Sequence, residues 1–82
     1  RRIATNGAVA YGIDEVGKAV AYGAVETILV SDTRLRDEEA TRIIKDAEYM
    51  SASIVVMSTE FEPGERLEAL GGIAAILRYK IE

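Results

Sequence analysis

Short β-branched apolar runs alternate with amphipathic segments along this chain, and that alternation limits the possible folds more than any other feature. Residues 25–30 (VETILV) and Ser53–Met57, which carries Ile54-Val55-Val56-Met57, are too short to stand as independent helices. Runs of this kind predict strands covered on both faces. Residues 8–11, bounded by Gly7 and Gly12, predict a further buried strand, and residues 73–79 a last one. Between the strands the period changes. Ile13, Val16 and Val20 fall at i, i+3 and i+7, on one face of a helix that ends at Tyr22 with Gly23 as its left-handed stop. Asp37 is placed to cap a second helix, with Glu38 and Glu39 favourable in its first turn. Ala40, Ile43, Ile44 and Ala47 form its buried stripe, and it runs to about Met50. Pro63 opens a short third helix through Leu67 and Leu70 that stops at Gly71-Gly72. The order βαβαβαβ predicts a three-layer α/β/α sandwich around a mixed or mostly parallel four-stranded sheet.

Eighty-two residues leave room for a single domain, 1–82. The start Arg1-Arg2-Ile3-Ala4 reads as the last turn of a helix, so residues 1–7 are expected to be the end of a truncated helix and the chain to be one domain of a longer factor. No apolar run approaches the roughly 20 residues that a bilayer span needs. The expectation is a soluble, cytoplasmic chain without a membrane partner.

Missing residue types restrict the chemistry. The chain has no cysteine and no histidine, which removes thiolate nucleophiles, thiolate zinc ligands, and the commonest general base and metal ligand. Fourteen acids against ten bases give a net charge of -4, which opposes a phosphate backbone. Residues 31–68 hold ten acids and five bases and predict a solvated acidic face. These features predict no catalytic residue, no cofactor and no metal, with little direct binding of nucleic acid.

Several motifs have both a functional and an ordinary reading. Gly12-Ile13-Asp14-Glu15-Val16-Gly17-Lys18-Ala19 nearly spells the phosphate loop GxxxxGK[ST] after a strand. Ala19 lacks the hydroxyl that would hold magnesium, and Asp14 and Glu15 would put negative charge into a phosphate cradle, so an amphipathic helix is preferred. Gly17 then predicts close packing against the sheet. Glu60, Glu62 and Glu65 resemble a carboxylate cluster, but acids at a helix start are stabilised by its dipole, and a solvated capping group is preferred. Ser58 and Thr59 are expected to serve the turn before them. Tyr11, Tyr22, Tyr49 and Tyr79 are too widely spaced for a base-stacking platform, and most of them are expected at the edges of the core with solvated hydroxyls.

Three ordered blocks carry a family resemblance: the string Ala8-Val9-Ala10-Tyr11-Gly12-Ile13-Asp14-Glu15-Val16, the run Tyr22-Gly23-Ala24-Val25-Glu26-Thr27-Ile28-Leu29-Val30-Ser31-Asp32, and the ending Leu70-Gly71-Gly72-Ile73-Ala74-Ala75-Ile76-Leu77-Arg78-Tyr79. Together they resemble the C-terminal domain of the Pelota family, archaeal and eukaryotic ribosome-rescue factors related to class-1 release factors. The resemblance implies a protein-interaction domain of a factor that recognises stalled ribosomes in mRNA surveillance and promotes their dissociation. It implies two partners, a translational GTPase of the elongation-factor-1-alpha type and an ABC-type ribosome-recycling ATPase, with ribosome contact made by the full-length protein. It also maps the family's GILRY-type segment onto Gly72, Ile73, Ile76, Leu77, Arg78 and Tyr79 as partner-binding residues. Strand alternation puts Ile73, Ala75, Leu77 and Tyr79 on one face and Ala74, Ile76 and Arg78 on the other, so most serve the core and Arg78 and Tyr79 are placed to reach a surface.

Class-1 release factors are the nearest alternative. They resemble this chain in their ending but carry an inserted minidomain after the strand matched here by residues 27–31, where only residues 32–36 separate strand from helix. Kink-turn RNA-binding ribosomal proteins belong to the same wider fold family. Their Asn-Glu-bearing glycine-rich loop has no counterpart here, since Gly12-Ile13-Asp14-Glu15 brings acids to the nearest position.

Overall fold

The computed structural model describes residues 9–78, so Tyr79 and the expected helix end at residues 1–7 lie outside the described residues. The elements run β1 (Val9–Tyr11), α1 (Gly12–Ala21), β2 (Val25–Ser31), a 3-10 turn (Asp32–Arg36), α2 (Glu38–Tyr49), β3 (Ser53–Met57), α3 (Glu62–Ala69) and β4 (Ile73–Leu77). The strands form one sheet in the order β1-β4-β2-β3. β2 pairs parallel with β3, and β4 pairs antiparallel with both β1 and β2. The sheet is therefore mixed, because the last strand enters between β1 and β2 against their direction.

β4 has no charged residue, and Ile73, Ala74, Ala75 and Leu77 are all buried, as a central strand requires. One face of the sheet presents Ala10, Ile28, Val30, Ile73, Ala75 and Leu77 to Val16, Ala19 and Val20 of α1 and Ala47 of α2, forming the main core. Among the described residues the other face is met by α3 alone, whose Leu67 is buried. Ile43 and Ile44 pack on the core while staying partly exposed.

A bulge between Val25 and Thr27 sets where β2 begins. Thr27 pairs with Ile76 and Val25 with Leu77, so the extra residue turns Val25 onto the same face as Ile28. Val25 is only 3% exposed, while Glu26 stands in solvent.

The caps follow the sequence closely. Asp37 Oδ1 accepts from the Glu39 N–H, as an N-cap carboxylate does. Pro63 lies in the first turn of α3. Gly23 ends α1 with φ of 69°, and Gly71 and Gly72 follow α3 with φ of 112° and 80°.

Three expectations change. Ser53–Met57 is an edge strand rather than one buried on both faces, and Val55 and Val56 are 42% and 50% exposed, because among the described residues only β2 pairs with it. Gly17 packs against Ile43 of α2, not against the sheet. Tyr49 is 91% exposed and lies off the core edge, since it closes α2 on the side away from the buried stripe.

The near-match to a phosphate loop contains no loop. Gly12 opens α1 directly with φ of 88°, and Val16 and Ala19 are buried in the core.

Candidate partner-binding site

The segment leading into β4 is held by a polar network that begins in the 3-10 turn. Arg34 Nε donates to the Gly71 carbonyl at 3.0 Å, and its guanidinium pairs with Asp37 at the start of α2. A side chain on Gly72 would collide with Arg34, its Cβ falling 2.7 Å from Arg34 Cγ. Gly72 is thus required twice, by its left-handed backbone and by the arginine stem lying across it. The Ser31 N–H donates to the Gly72 carbonyl at 2.9 Å, and the Gly72 N–H to the Leu67 carbonyl at 2.8 Å.

The hydroxyls of Ser31 and Thr33 both donate to Glu68 Oε1, at 2.7 and 2.5 Å. These two bonds, Thr33 first and then Ser31, hold the Glu68 carboxyl below its ordinary value by favouring the charged form. Asp32 Oδ1 accepts from the backbone N–H and the hydroxyl of Thr59. Ser58 Oγ accepts from the Glu60 N–H, so both residues serve the turn into α3. The 3-10 turn is in this way tied to α2, α3, the β3–α3 turn and the start of β4. Sequence reading did not find this network, although the run Ser31-Asp32-Thr33 at a strand end was its visible signal.

The residues singled out in the sequence divide by position. Ile73 is fully buried and Leu77 is 8% exposed, both facing the main core, and Gly72 is buried under Arg34. Ile76 is half-buried on the opposite face. Arg78 is exposed, but it is also structural. Its backbone N–H donates to the Ala24 carbonyl at 2.7 Å, Nε to the Val25 carbonyl at 3.2 Å and Nη2 to the Met50 carbonyl at 3.2 Å. It joins the end of β4 to the start of β2 and the end of α2. Ile76 and Arg78 are the members of the described set that a partner can reach.

On the face of Ile76 the sheet is only partly covered. A groove of about 230 Å³ runs along α3, lined among others by Val9, Tyr11, Leu29, Met57, Leu67 and Leu70. Tyr11 is 50% and Leu70 51% exposed. An eight-residue helix cannot roof four strands, and apolar side chains remain in water beside it. Among the described residues no group of three or more acids, histidines or cysteines is arranged to hold a metal.

The sequence matches the model of eRF1 domain 3 over residues 1–81. The chain belongs to that family. It is 74% identical over 81 residues to the Pelota homologue of Methanoculleus marisnigri, an alignment covering 99% of this chain and 24% of that protein. The chain spans about a quarter of the length of the curated relatives it matches. Its fold is similar to that of archaeal Pelota in a ribosome-bound assembly with ABCE1, with a TM-score of 0.86 at 47% identity over 95% of this chain and 23% of that one. It is also similar to Dom34 of S. cerevisiae, a translation termination-like factor of RNA quality control that interacts with Hbs1. There the TM-score is 0.81 at 34% identity, over 90% of this chain and 22% of that one. Archaeal termination factor aRF1 has a TM-score of 0.74 at 31% identity, over 89% of this chain and 21% of that one. Within the family the chain therefore sides with Pelota rather than with the release factors.

Proposed function

We propose that this chain is a single domain, the C-terminal one, of a Pelota-type ribosome-rescue factor, and that it serves as a protein-interaction module. The observation that carries the reading is 74% identity to a Pelota homologue across nearly every residue. The compact 3-10 turn supports it, because Asp32–Arg36 closes the gap between β2 and α2 at the place where release factors were expected to hold an insertion. The proposed partners are a translational GTPase of the elongation-factor-1-alpha type and an ABC-type recycling ATPase; protein partners are in keeping with Dom34, which interacts with Hbs1, and with archaeal Pelota, which is ribosome-bound together with ABCE1. The factor works on stalled ribosomes in the cytoplasm and promotes their dissociation.

The domain itself is read as non-catalytic. Without histidine or cysteine it has few of the side chains that usually activate a nucleophile or move a proton near neutral pH. Its contribution is binding. Among the described residues Ile76 and Arg78 are the accessible part of the proposed contact, while Gly72, Ile73 and Leu77 hold that strand in place; Tyr79 follows them in the sequence as a further proposed contact residue. One small domain contributes less than a standard interface, so its affinity alone is modest and the rest of the factor adds to it through the covalent link.

A pull-down comparing the full-length factor, this chain and a full-length factor lacking it tests the proposal with both partners. Removal of the domain is expected to weaken capture of the GTPase and of the ATPase. Unchanged affinity for both would overturn the interaction role.

A further inference from the structure

The acid-rich half of the chain contains a basic groove that its net charge conceals. A depression of about 370 Å³ lies along the start of α2 and is lined by Arg36, Glu38, Thr41, Arg42 and Lys45. Arg36, Arg42 and Lys45 are all exposed. Among the described residues their side chains enter no hydrogen bond and no ion pair, whereas Arg34, Arg66 and Arg78 are each engaged. Thr41 is not available to a ligand as a donor, because its hydroxyl donates to the Asp37 carbonyl at 2.9 Å. Three unpaired cations on one concave surface are therefore set against a single acid, Glu38.

We propose that this groove docks a short acidic peptide segment of a protein partner, with carboxylates paired to Arg36, Arg42 and Lys45. The pattern of charge favours a peptide over RNA. A phosphodiester chain is negative at every step, so one following the groove brings phosphate past Glu38 and on toward Asp37, Glu39 and Asp46, which flank the cations on the same turn and helix. A peptide can place a neutral or basic residue opposite Glu38 and acids opposite the three bases. The planar arginine forks accept a carboxylate through two parallel N–H donors, and Arg36 and Arg42 supply two of them. Exposed pairs are individually weak, so the groove acts by steering and orienting its partner more than by raw affinity. This surface is separate from β4 and does not depend on the GTPase or ATPase assignment.

The test titrates the chain with a short peptide of aspartate, glutamate and glycine, and in parallel with oligouridylate RNA, following backbone amide shifts by NMR. Peptide-induced shifts are expected to centre on residues 36–45 and to fade as salt is raised. Reversing two of three cations, in Arg42→Glu with Lys45→Glu, is expected to weaken peptide binding by at least about tenfold. Both positions are exposed, so the urea midpoint should hold; should the pair unfold the chain, Arg36→Glu, outside the helix, gives the same reading. Absence of peptide binding, peptide binding that survives charge reversal, or tighter binding of RNA than of peptide would each overturn the proposal.

Discussion

Replacing Gly64 with alanine inverts the usual effect of that substitution in a helix. In an unconstrained helix interior the change gains about 1 kcal/mol, because glycine pays more backbone entropy than alanine. Here a Cβ on Gly64 would lie 1.9 Å from the Ser58 carbonyl oxygen and 2.4 Å from its carbon. A tolerable carbon–oxygen contact is about 3.3 Å, so the first turn of α3 must withdraw by more than an ångström from the β3–α3 turn. The obstacle is backbone, with no side chain to rotate away. Withdrawal also disturbs Leu67, one turn further along and 5% exposed. Overpacking of this kind costs about 1 to 3 kcal/mol, and with loosening of Leu67 it outweighs the propensity gain by about 1 to 2 kcal/mol. For a chain of this size that lowers the melting midpoint by roughly 4 to 16 °C. Gly17→Ala provides the control, since its Cβ would meet only the end of the Ile43 side chain at 3.4 Å. That variant should match or exceed the parent, gaining up to about 1 kcal/mol. Urea titrations of the three proteins, compared at equal slope, separate the cases. If Gly64→Ala is as stable as the parent, the reasoning from backbone contact fails.

Three further outcomes are expected. Leu77→Ala should cost about 2 to 5 kcal/mol in urea denaturation because Leu77 faces the main core, and half-buried Ile76→Ala should cost clearly less; equal losses would contradict the two-face assignment of β4. Arg78→Ala removes the side-chain bonds to the Val25 and Met50 carbonyls and should destabilise by about 1 kcal/mol, so an unchanged midpoint would mean those bonds contribute nothing. Glu68 has a folded pKa below its unfolded one, so its stabilisation is present above the ordinary carboxylate value and is lost as pH falls through the folded value. The stability gap between parent and Glu68→Gln should accordingly be constant near neutrality and shrink in acid, and a gap independent of pH would remove Glu68 as its source.

Local features explain which parts of the fold could be read directly. Helix periodicity, the Asp37 cap, Pro63 in the first turn of α3 and the glycines after α1 and α3 depend on neighbours a few residues away, and each appears where the sequence places it. The family resemblance was carried by the same local strings, and the match to eRF1 domain 3 spans them all. Strand exposure was harder. Ile54-Val55-Val56-Met57 reads like a central strand, yet β4 joins the other side of β2 and leaves β3 at the edge, a choice made by strand order that no window of sequence contains.

The sequence by itself determined the element order, the caps and the absence of histidine and cysteine chemistry, because these follow from residue type and short-range spacing. Only the tertiary structure decided which residues meet across the chain. It turned Val25 inward through a bulge, since register belongs to two strands and not to one. It made Gly72 the seat of Arg34 and tied Ser31 and Thr33 to Glu68, contacts across more than thirty residues that only packing creates. It also gathered Arg36, Arg42 and Lys45 into one groove within an acid-rich half, because a count of charges records their sum while the fold alone fixes their positions.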